Sequence, residues 1–509
     1  MRADHSLEPE SEFKLGAKKK FHVPQPPAAI HMTDANDVEL TATYWDTADY
    51  RLTRNGMSLR YRSAKDNSEN GWTLKLASPS NEAQDDKGLT SRIEVKLAGP
   101  AARPSEAAVC LLRGVTINAT LVPVAELVTN RRQFDLLDVD DQVQAHVMDD
   151  HVYATPRSGP PLTFREIEVE VVGSNSDVAK RYVRRLRKAG AKKPVVGSKI
   201  EQVLRPLIPR SQRFSKKGRS NVEGLARTIV ATALKELVLT DPLVRLGQGV
   251  EPVHRARVAT RRLRSNLKSV APLFDSEWLD FIAGELKWLG GIFGSVRDLD
   301  VLAAGFREAL EPCSASTFVS RGASEIFGLL DSDRATAGRQ LAEALDSDRY
   351  VALIALLDTA CVKAPLAEGV DAGQRALPML RRQADRALSG VSKAVKGVDA
   401  DSTHVQLHRV RRRAKHARYS VQLAAPLAGK QATHLASKLG DLQETLGELQ
   451  DAVVAEQWLS RVMLAYASPS LVQTVATLLA TQHARLDQQH SAWRGAWKRT
   501  RRPKLHAWM

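Results

Sequence analysis

Cysteine is nearly absent from this chain. Three residues in 509 (Cys110, Cys313 and Cys361) stand far apart without metal-ligand spacing. That excludes a disulfide framework and a zinc ribbon. No run of 18 apolar residues occurs, so no transmembrane helix is expected. The opening MRADHSLEPESEFK lacks the apolar stretch of a secretory signal, and a reducing cytoplasm is the expected compartment. A P-loop, a GxSxG elbow and an HExxH pair are all missing, which removes the commonest nucleotide, acyl-transfer and zinc-protease chemistries. Negative charge is also short. Lys and Arg number 74 against 58 Asp and Glu, a net charge of +16 that favours a polyanionic partner.

The positive excess is uneven. Residues 1–205 carry 30 Lys/Arg against 28 Asp/Glu, whereas the remainder carries 44 against 30. The texture changes at the same place. Before it, ESEFKL, MSLRYRS, GWTLKLA, SRIEVKLAG, DQVQAHVMD and TFREIEVEVVG alternate with period two between turn-rich loops, which predicts an antiparallel barrel or sandwich. SDVAKRYVRRLRKAG predicts a helix stopping at Gly190. Residues 207–221 are basic, proline-bounded and aperiodic, the expected linker. Residues 222–505 follow a 3.6-residue period with few strand signals, an all-α domain. The expected class is therefore α+β multidomain.

The helical part repeats itself. His254, Arg257, Arg261 and Arg264 recur as His408, Arg411, Lys415 and Arg418, both at offsets of 0, +3, +7 and +10. On a helix these four positions fall within a stripe about 80° wide. Like charges stacked this way repel one another unless an anion lies against them. Lys268 extends the first stripe by a turn, where the second has Gln422. LKWLGGIFGSVRDLDVL from Leu286 matches LGDLQETLGELQDAVVA from Leu439 at offset 153. Two similar helical-bundle halves, about 222–350 and 370–505, are expected, with both stripes facing a common groove. Imidazoles among arginines make poor metal ligands, so His254 and His408 are read as phosphate contacts or structural hydrogen-bonders. Asp298 and Asp451 are read as ion-pair partners that orient arginines.

The strands carry a second charge pattern. Glu10, Glu12 and Lys14 share one face of their strand, as do Arg60 and Arg62; Arg92, Glu94 and Lys96; and Glu166, Glu168 and Glu170. A solvated sheet face explains any one of these. If the apolar faces instead pack outward against helices, the charged faces line a barrel interior that needs cations and anions inside it.

These residues resemble two known families. ESEFK looks like the ExExK signature of the CYTH, or triphosphate tunnel metalloenzyme, family, supported in order by YWDTADYRLTRNGMSLRYR, GWTLKL, SRIEVKL, REIEVEV and GSKIE across residues 7–206. VHRARVATRRLR, RDLD and LHRVRRRAKHARY resemble a CHAD domain over 222–505. The first resemblance implies an eight-stranded antiparallel tunnel with flanking helices. It would bind a linear triphosphate and two divalent cations, Mg²⁺ or Mn²⁺. Glu10, Glu12, Glu168 and Glu170 would ligate metal, with Asp149 near the second cation, although the register of DDH leaves Asp150 open. Lys14, Arg60, Arg62, Lys75, Lys199 and Arg132 (Arg131 being the alternative) would hold phosphate, with Glu94 an acidic mid-sheet position and Lys96 a further basic contact. Inorganic triphosphate is the expected substrate; thiamine triphosphate hydrolysis, ATP cyclisation and a non-catalytic anion receptor on polyphosphate granules are alternatives. The second resemblance implies inorganic polyphosphate binding along the basic stripes. Nucleic acid and membrane are not expected partners.

Overall fold

A computed structural model describes residues 5–28, 30–64, 70–77, 89–192, 197–209, 220–313, 317–398, 404–466 and 468–509. Most of the linker expected at 207–221 lies outside the described residues. The chain divides into two compact units, Met1–Phe214 with Val238–Gly247, and Ser215–Leu237 with Gln248–Met509.

Among the described residues the first unit is built on nine strands: β1 (His5–Ala17), β2 (His31–Met32), β3 (Asn36–Asp46), β4 (Ser58–Ala64), β5 (Gly71–Ala77), β6 (Leu89–Leu97), β7 (Val122–Leu137), β8 (Val143–Pro156) and β9 (Leu162–Val171). All pairings are antiparallel, in the order β7-β3-β4-β5-β6-β1-β9-β8, and β8 returns to β7. That closure makes an eight-stranded barrel, with the two-residue β2 appended to β7. It is accompanied by the short helices α1 (Arg51–Arg54), α2 (Glu106–Leu111), α3 (Arg113–Thr116), α4 (Asp177–Lys188) and α5 (Lys199–Leu204). Each run of alternation read from the sequence falls in a strand, while β3 and β7 lie outside those runs.

Under α4 the barrel's apolar side chains point outward. Phe13, Leu15, Phe134, Leu136, Val147, Ile167 and Val169 pack under Val178, Tyr182, Val183 and Leu186 of α4. Burying each such side chain stabilises the fold by about 1.5–3 kcal/mol. Helix α4 ends where Gly190 adopts φ 111° and the Ala191 N–H bonds back to Leu186. A second cluster lies on the inner face: Ala42, opposite Arg62, and Leu127, Val152 and Ala154, which share the parity of Arg131 and Asp150, pack against Ile200, Val203 and Leu204 of α5. Where apolar residues pack under α4, the alternate set faces the lumen.

The second unit contains α6 (Val222–Arg245) as far as Leu237, then α7 (Val250–Ser269), α8 (Ser276–Leu310), α9 (Thr317–Asp346), α10 (Asp348–Val362), α11 (Ala376–Lys396), α12 (His404–Ala428), α13 (Lys430–Ala465) and α14 (Pro469–Thr500). The helix starts repeat the motif spacing. Val222 and Ala376, Val250 and His404, and Ser276 and Lys430 are each 154 residues apart, and Thr317 and Pro469 are 152 apart. The two halves meet in shared cores, one of which joins Leu302, Phe306, Ile326 and Leu330 to Trp458, Leu459, Val475 and Leu478. Among the described residues no helix is long and apolar enough to cross a membrane.

Candidate functional site

The barrel encloses a cavity of about 820 Å³ lined mainly by charge. Cross-strand neighbours on its inner face include Lys14 beside Glu168, Lys75 beside Glu94, and Glu10 beside Arg92. Lys14, Arg60, Arg62, Lys75, Arg92, Lys96, Arg131 and Lys199 all line the cavity, together with Glu10, Glu94, Glu168 and Glu170. Lys199 comes from α5 rather than a strand. Ser198 caps that helix by accepting from the Glu201 N–H, and Arg92 holds the approach through the Gly197 carbonyl at 2.9 Å.

Every lumenal carboxylate with a described ion pair leans on a cation. Lys75 joins Glu10, at 2.7 Å, to Glu94. Lys14 reaches Glu168 at 2.6 Å and Glu12 at 3.0 Å. Lys199 lies 2.8 Å from Glu168 and 3.0 Å from Asp150. Arg131 grips Asp150 with two parallel bonds of 2.8 Å and approaches Glu168 at 3.5 Å. The electrostatics follow. Burial opposes ionisation of Glu168, yet Lys14, Lys199 and Arg131 hold its carboxyl well below the usual range. Burial likewise works against Glu94, which Lys75 and Arg60 nevertheless hold down to about 2. Burial raises Glu10, Glu166 and Glu170. Although burial disfavours charge on Lys14 and Lys199, their glutamate neighbours push both ammonium groups up.

Two expected site residues face the wrong way. Partners directly opposite in a ladder share a face. Asp149 pairs in register with Ile167, whose side chain is in the outer core, and Arg132 pairs with Asp149. Asp149 is accordingly buried outside the lumen against Arg165, at 2.7 Å, and Arg132 is exposed beside Asp37. The residues that face inward are Asp150 and Arg131. Phe134 and Leu136 share the parity of Arg132, but the buried Leu127 shares that of Arg131, so alternation alone does not name the outer face. The site residues taken from sequence also omit Arg92, Glu166, Tyr44, Gln133 and His146. Tyr44 accepts from Arg60 at 3.4 Å; burial raises its phenol, but Arg60 and Lys199 outweigh that and lower it.

Metal fit can be judged from the carboxylates. Glu12 is 1% exposed, and Lys14 is close but not aligned for a hydrogen bond, so both carboxylate oxygens lack a donor. The same is true of Glu166 Oε1, whose partner oxygen accepts from Gln202 at 2.5 Å. Buried carboxylate oxygens without donors suit a hard divalent cation. Among the described residues no three carboxyl, imidazole or thiol groups stand together at metal-ligand spacing. Lysines hold the carboxylates instead.

In the helical unit, the two basic stripes lie on α7 and α12, which pack together. Ser269 meets Ser420 at 3.0 Å, Arg261 donates to the Tyr419 hydroxyl at 3.2 Å, and Arg262 donates to Gln422 at 3.1 Å. Arg257, Arg261, Arg411, Lys415, Arg418, His254 and His408 are half-buried, while Arg264 and Lys268 are exposed. Burial lowers Arg411, and repulsion from Arg261 and Arg257 across the cleft adds to it. The stripes therefore face one another. Burial, Arg297 and Arg261 lower His254, against the pull of Glu251. Asp298 pairs with Arg257 at 2.8 Å. Gly294 and Gly447, matched in the repeat, each sit against the second cation of a stripe, Arg257 and Arg411.

A CYTH domain model matches residues 8–196, and a CHAD domain model matches residues 228–460. The chain is a CYTH domain followed by a CHAD domain. An uncharacterized protein of Mycobacterium tuberculosis is 26% identical over 457 residues, covering 86% of this chain and 85% of its own length. Among solved structures, PptA from Streptomyces chartreusis is 18% identical, spanning 55% of this chain and 99% of that one, with a TM-score of 0.47. The CHAD domain from the plant Ricinus communis is 23% identical, spanning 59% and 96%, also with a TM-score of 0.47. CYTH tunnels belong to a superfamily of metal-dependent triphosphatases and cyclases, so the CYTH–CHAD chain carries the fold of a metal-dependent phosphate enzyme.

Proposed function

We propose that the CYTH barrel is a divalent-metal-dependent triphosphatase acting on inorganic triphosphate, and that the CHAD unit binds inorganic polyphosphate in the cleft between α7 and α12. The observation that carries this reading is the lumen, where eight Lys and Arg side chains and four glutamates line one cavity. A linear phosphate chain would exchange the present carboxylate partners of Lys14, Lys75 and Lys199 for its own oxygens. Arg60, Arg62 and Arg131 would add charge-assisted hydrogen bonds as negative charge moves onto the departing phosphate. Glu10, Glu12, Glu168 and Glu170, with Asp150 nearby, would hold Mg²⁺ or Mn²⁺. A cation there would neutralise phosphate charge and lower the pKa of a bound water. Inorganic triphosphate is favoured over nucleotides because the aromatic side chains at the cavity are already engaged. Trp72 packs edge-on against Trp45 and Tyr61, and the Tyr44 phenol is bonded to Arg60. A cytoplasmic enzyme held at polyphosphate granules fits both halves of the reading.

The test is a substrate panel of inorganic triphosphate, thiamine triphosphate, ATP and long-chain polyphosphate, each with Mg²⁺ and Mn²⁺. Phosphate release should be greatest with inorganic triphosphate, and Glu10→Ala with Glu12→Ala should abolish it. Equal activity in that double variant would sink the enzyme assignment, and cyclic AMP formed from ATP would replace it with a cyclase.

A further inference from the structure

Lys415 stands where the two stripes of the CHAD unit converge. Arg411 lies one turn before it on α12, and Arg257, Arg261 and Arg264 act on it from α7. From α8 comes Asp298, already paired with Arg257. From α13 come Asp451, which attracts Arg411, and Gln443, which accepts from Arg418, while Asp441 is paired with Lys438. Helix α11 packs through Ala384, Leu388 and Val391 and carries Arg381, Arg382, Asp385, Arg386, Lys393 and Lys396 on its exposed side. Lys415 is half-buried on α12 one turn after Arg411 and one before Arg418, on the helix that Arg261 of α7 reaches through the Tyr419 hydroxyl, and the nearby carboxylates serve other cations.

A guanidinium does not lose its proton in a protein, whereas an amine does. Among the half-buried Lys and Arg side chains of the two stripes, Lys415 is therefore the one that can shed charge when the cleft holds no anion. We infer that the α7/α12 cleft is a proton-coupled anion site, in which Lys415 takes up a proton as a phosphate chain binds. The inference deepens the polyphosphate reading and rests on it. Burial, reinforced by repulsion from Arg261, Arg411, Arg257 and Arg264, brings the free amine down to about 7. An anion chain laid along the stripes reverses the sign of the local potential and favours the ammonium form. The sign of the linkage follows. Below about pH 7 the lysine is already charged and binding is strongest. Above it a proton must be gained with the anion, so affinity falls by roughly tenfold per pH unit.

The experiment uses the full chain, long-chain inorganic polyphosphate (whose titrating end groups are few) and constant ionic strength. Calorimetry at pH 8 in two buffers of different ionisation heat counts the protons taken up. The wild-type chain should take up close to one proton per site more than Lys415→Arg, whose permanent charge replaces the titrating one. Its affinity should fall between pH 7 and 9 while that of Lys415→Arg stays nearly level. Lys415→Met, a second variant, should bind at pH 7 as weakly as the wild type does at pH 9. Histidine contributions persist in both variants and cancel in the difference. Equal proton uptake by wild type and Lys415→Arg, with binding intact, would overturn the proton coupling alone. No retention of polyphosphate at any pH between 6 and 9 would overturn the polyphosphate reading together with it.

Discussion

Arg131 meets Asp150 through two parallel bonds, and Asp150 in turn forms an ion pair with Lys199, so three charged groups fix one another at the wall of the CYTH lumen. A guanidinium held this way is preorganised for phosphate, because its donors need not be reoriented when charge develops. Arg131→Ala should lower kcat/KM for inorganic triphosphate by about 100-fold, whereas Arg132→Ala on the outer face should change it little. A comparable loss in Arg132→Ala would show that the phosphate chain runs elsewhere. Charge pairing also sets a pH response. Glu94 titrates at about 2 when folded, below its unfolded value. Its stabilising contribution is therefore fully present above the ordinary carboxylate pKa of about 4.3 and is lost as pH falls toward 2. Urea unfolding of the wild type and Glu94→Gln between pH 6 and 2.5 should show the larger loss of stability in the wild type. Parallel curves would mean that Lys75 and Arg60 do not hold that carboxylate. The identity of most lumenal residues was legible from alternation alone. Where two adjacent residues carry the same charge, as in Arg131-Arg132 and Asp149-Asp150, composition gives no choice between them and only ladder register does.

Strands and helices here have faces of opposite polarity, and the elements differ in how readily this could be read. In β9, Glu166, Glu168 and Glu170 alternate with Ile167, Val169 and Val171, so the pattern names both faces. In β3 the exposed Asn36, Asp37 and Glu39 precede the alternation that leads to Tyr44 and Trp45, which blurs the start of the strand. Helix crossings were less visible still. Gly322 on α9 sits directly under α14, where an added Cβ would run into the Thr474 hydroxyl and the Ser470 carbonyl. One of these obstacles is backbone and cannot swing away. Gly322→Ala should therefore destabilise the CHAD unit by about 1–3 kcal/mol despite the better helix propensity of alanine. Chemical denaturation measures this directly, and a gain in stability would mean that the two helices cross elsewhere. Nothing around Gly322 in the sequence distinguishes it from glycines that face open space, such as Gly328.

At the scale of the whole chain, the two units carry charge in different patterns. The CYTH lumen mixes lysines and arginines with glutamates, whereas the CHAD cleft concentrates cations with few carboxylates. Arg261→Glu combined with Arg418→Glu should abolish polyphosphate retention while leaving triphosphate hydrolysis within about twofold, the inverse of Glu10→Ala with Glu12→Ala. Retention that survives the first double variant would place the polyanion outside the α7/α12 cleft. The sequence by itself determined the order of the two domains, the duplication of the helical half, and which faces of the strands are charged, because periodicity and repeat spacing are local properties of the chain. Only the tertiary structure decided that the charged faces enclose a cavity, that Arg131 and Asp150 rather than Arg132 and Asp149 line it, and that the stripe carrying Lys415 packs against the one on α7. Each of those depends on which residues are brought together from distant parts of the chain, and pairing register and helix crossing set that proximity.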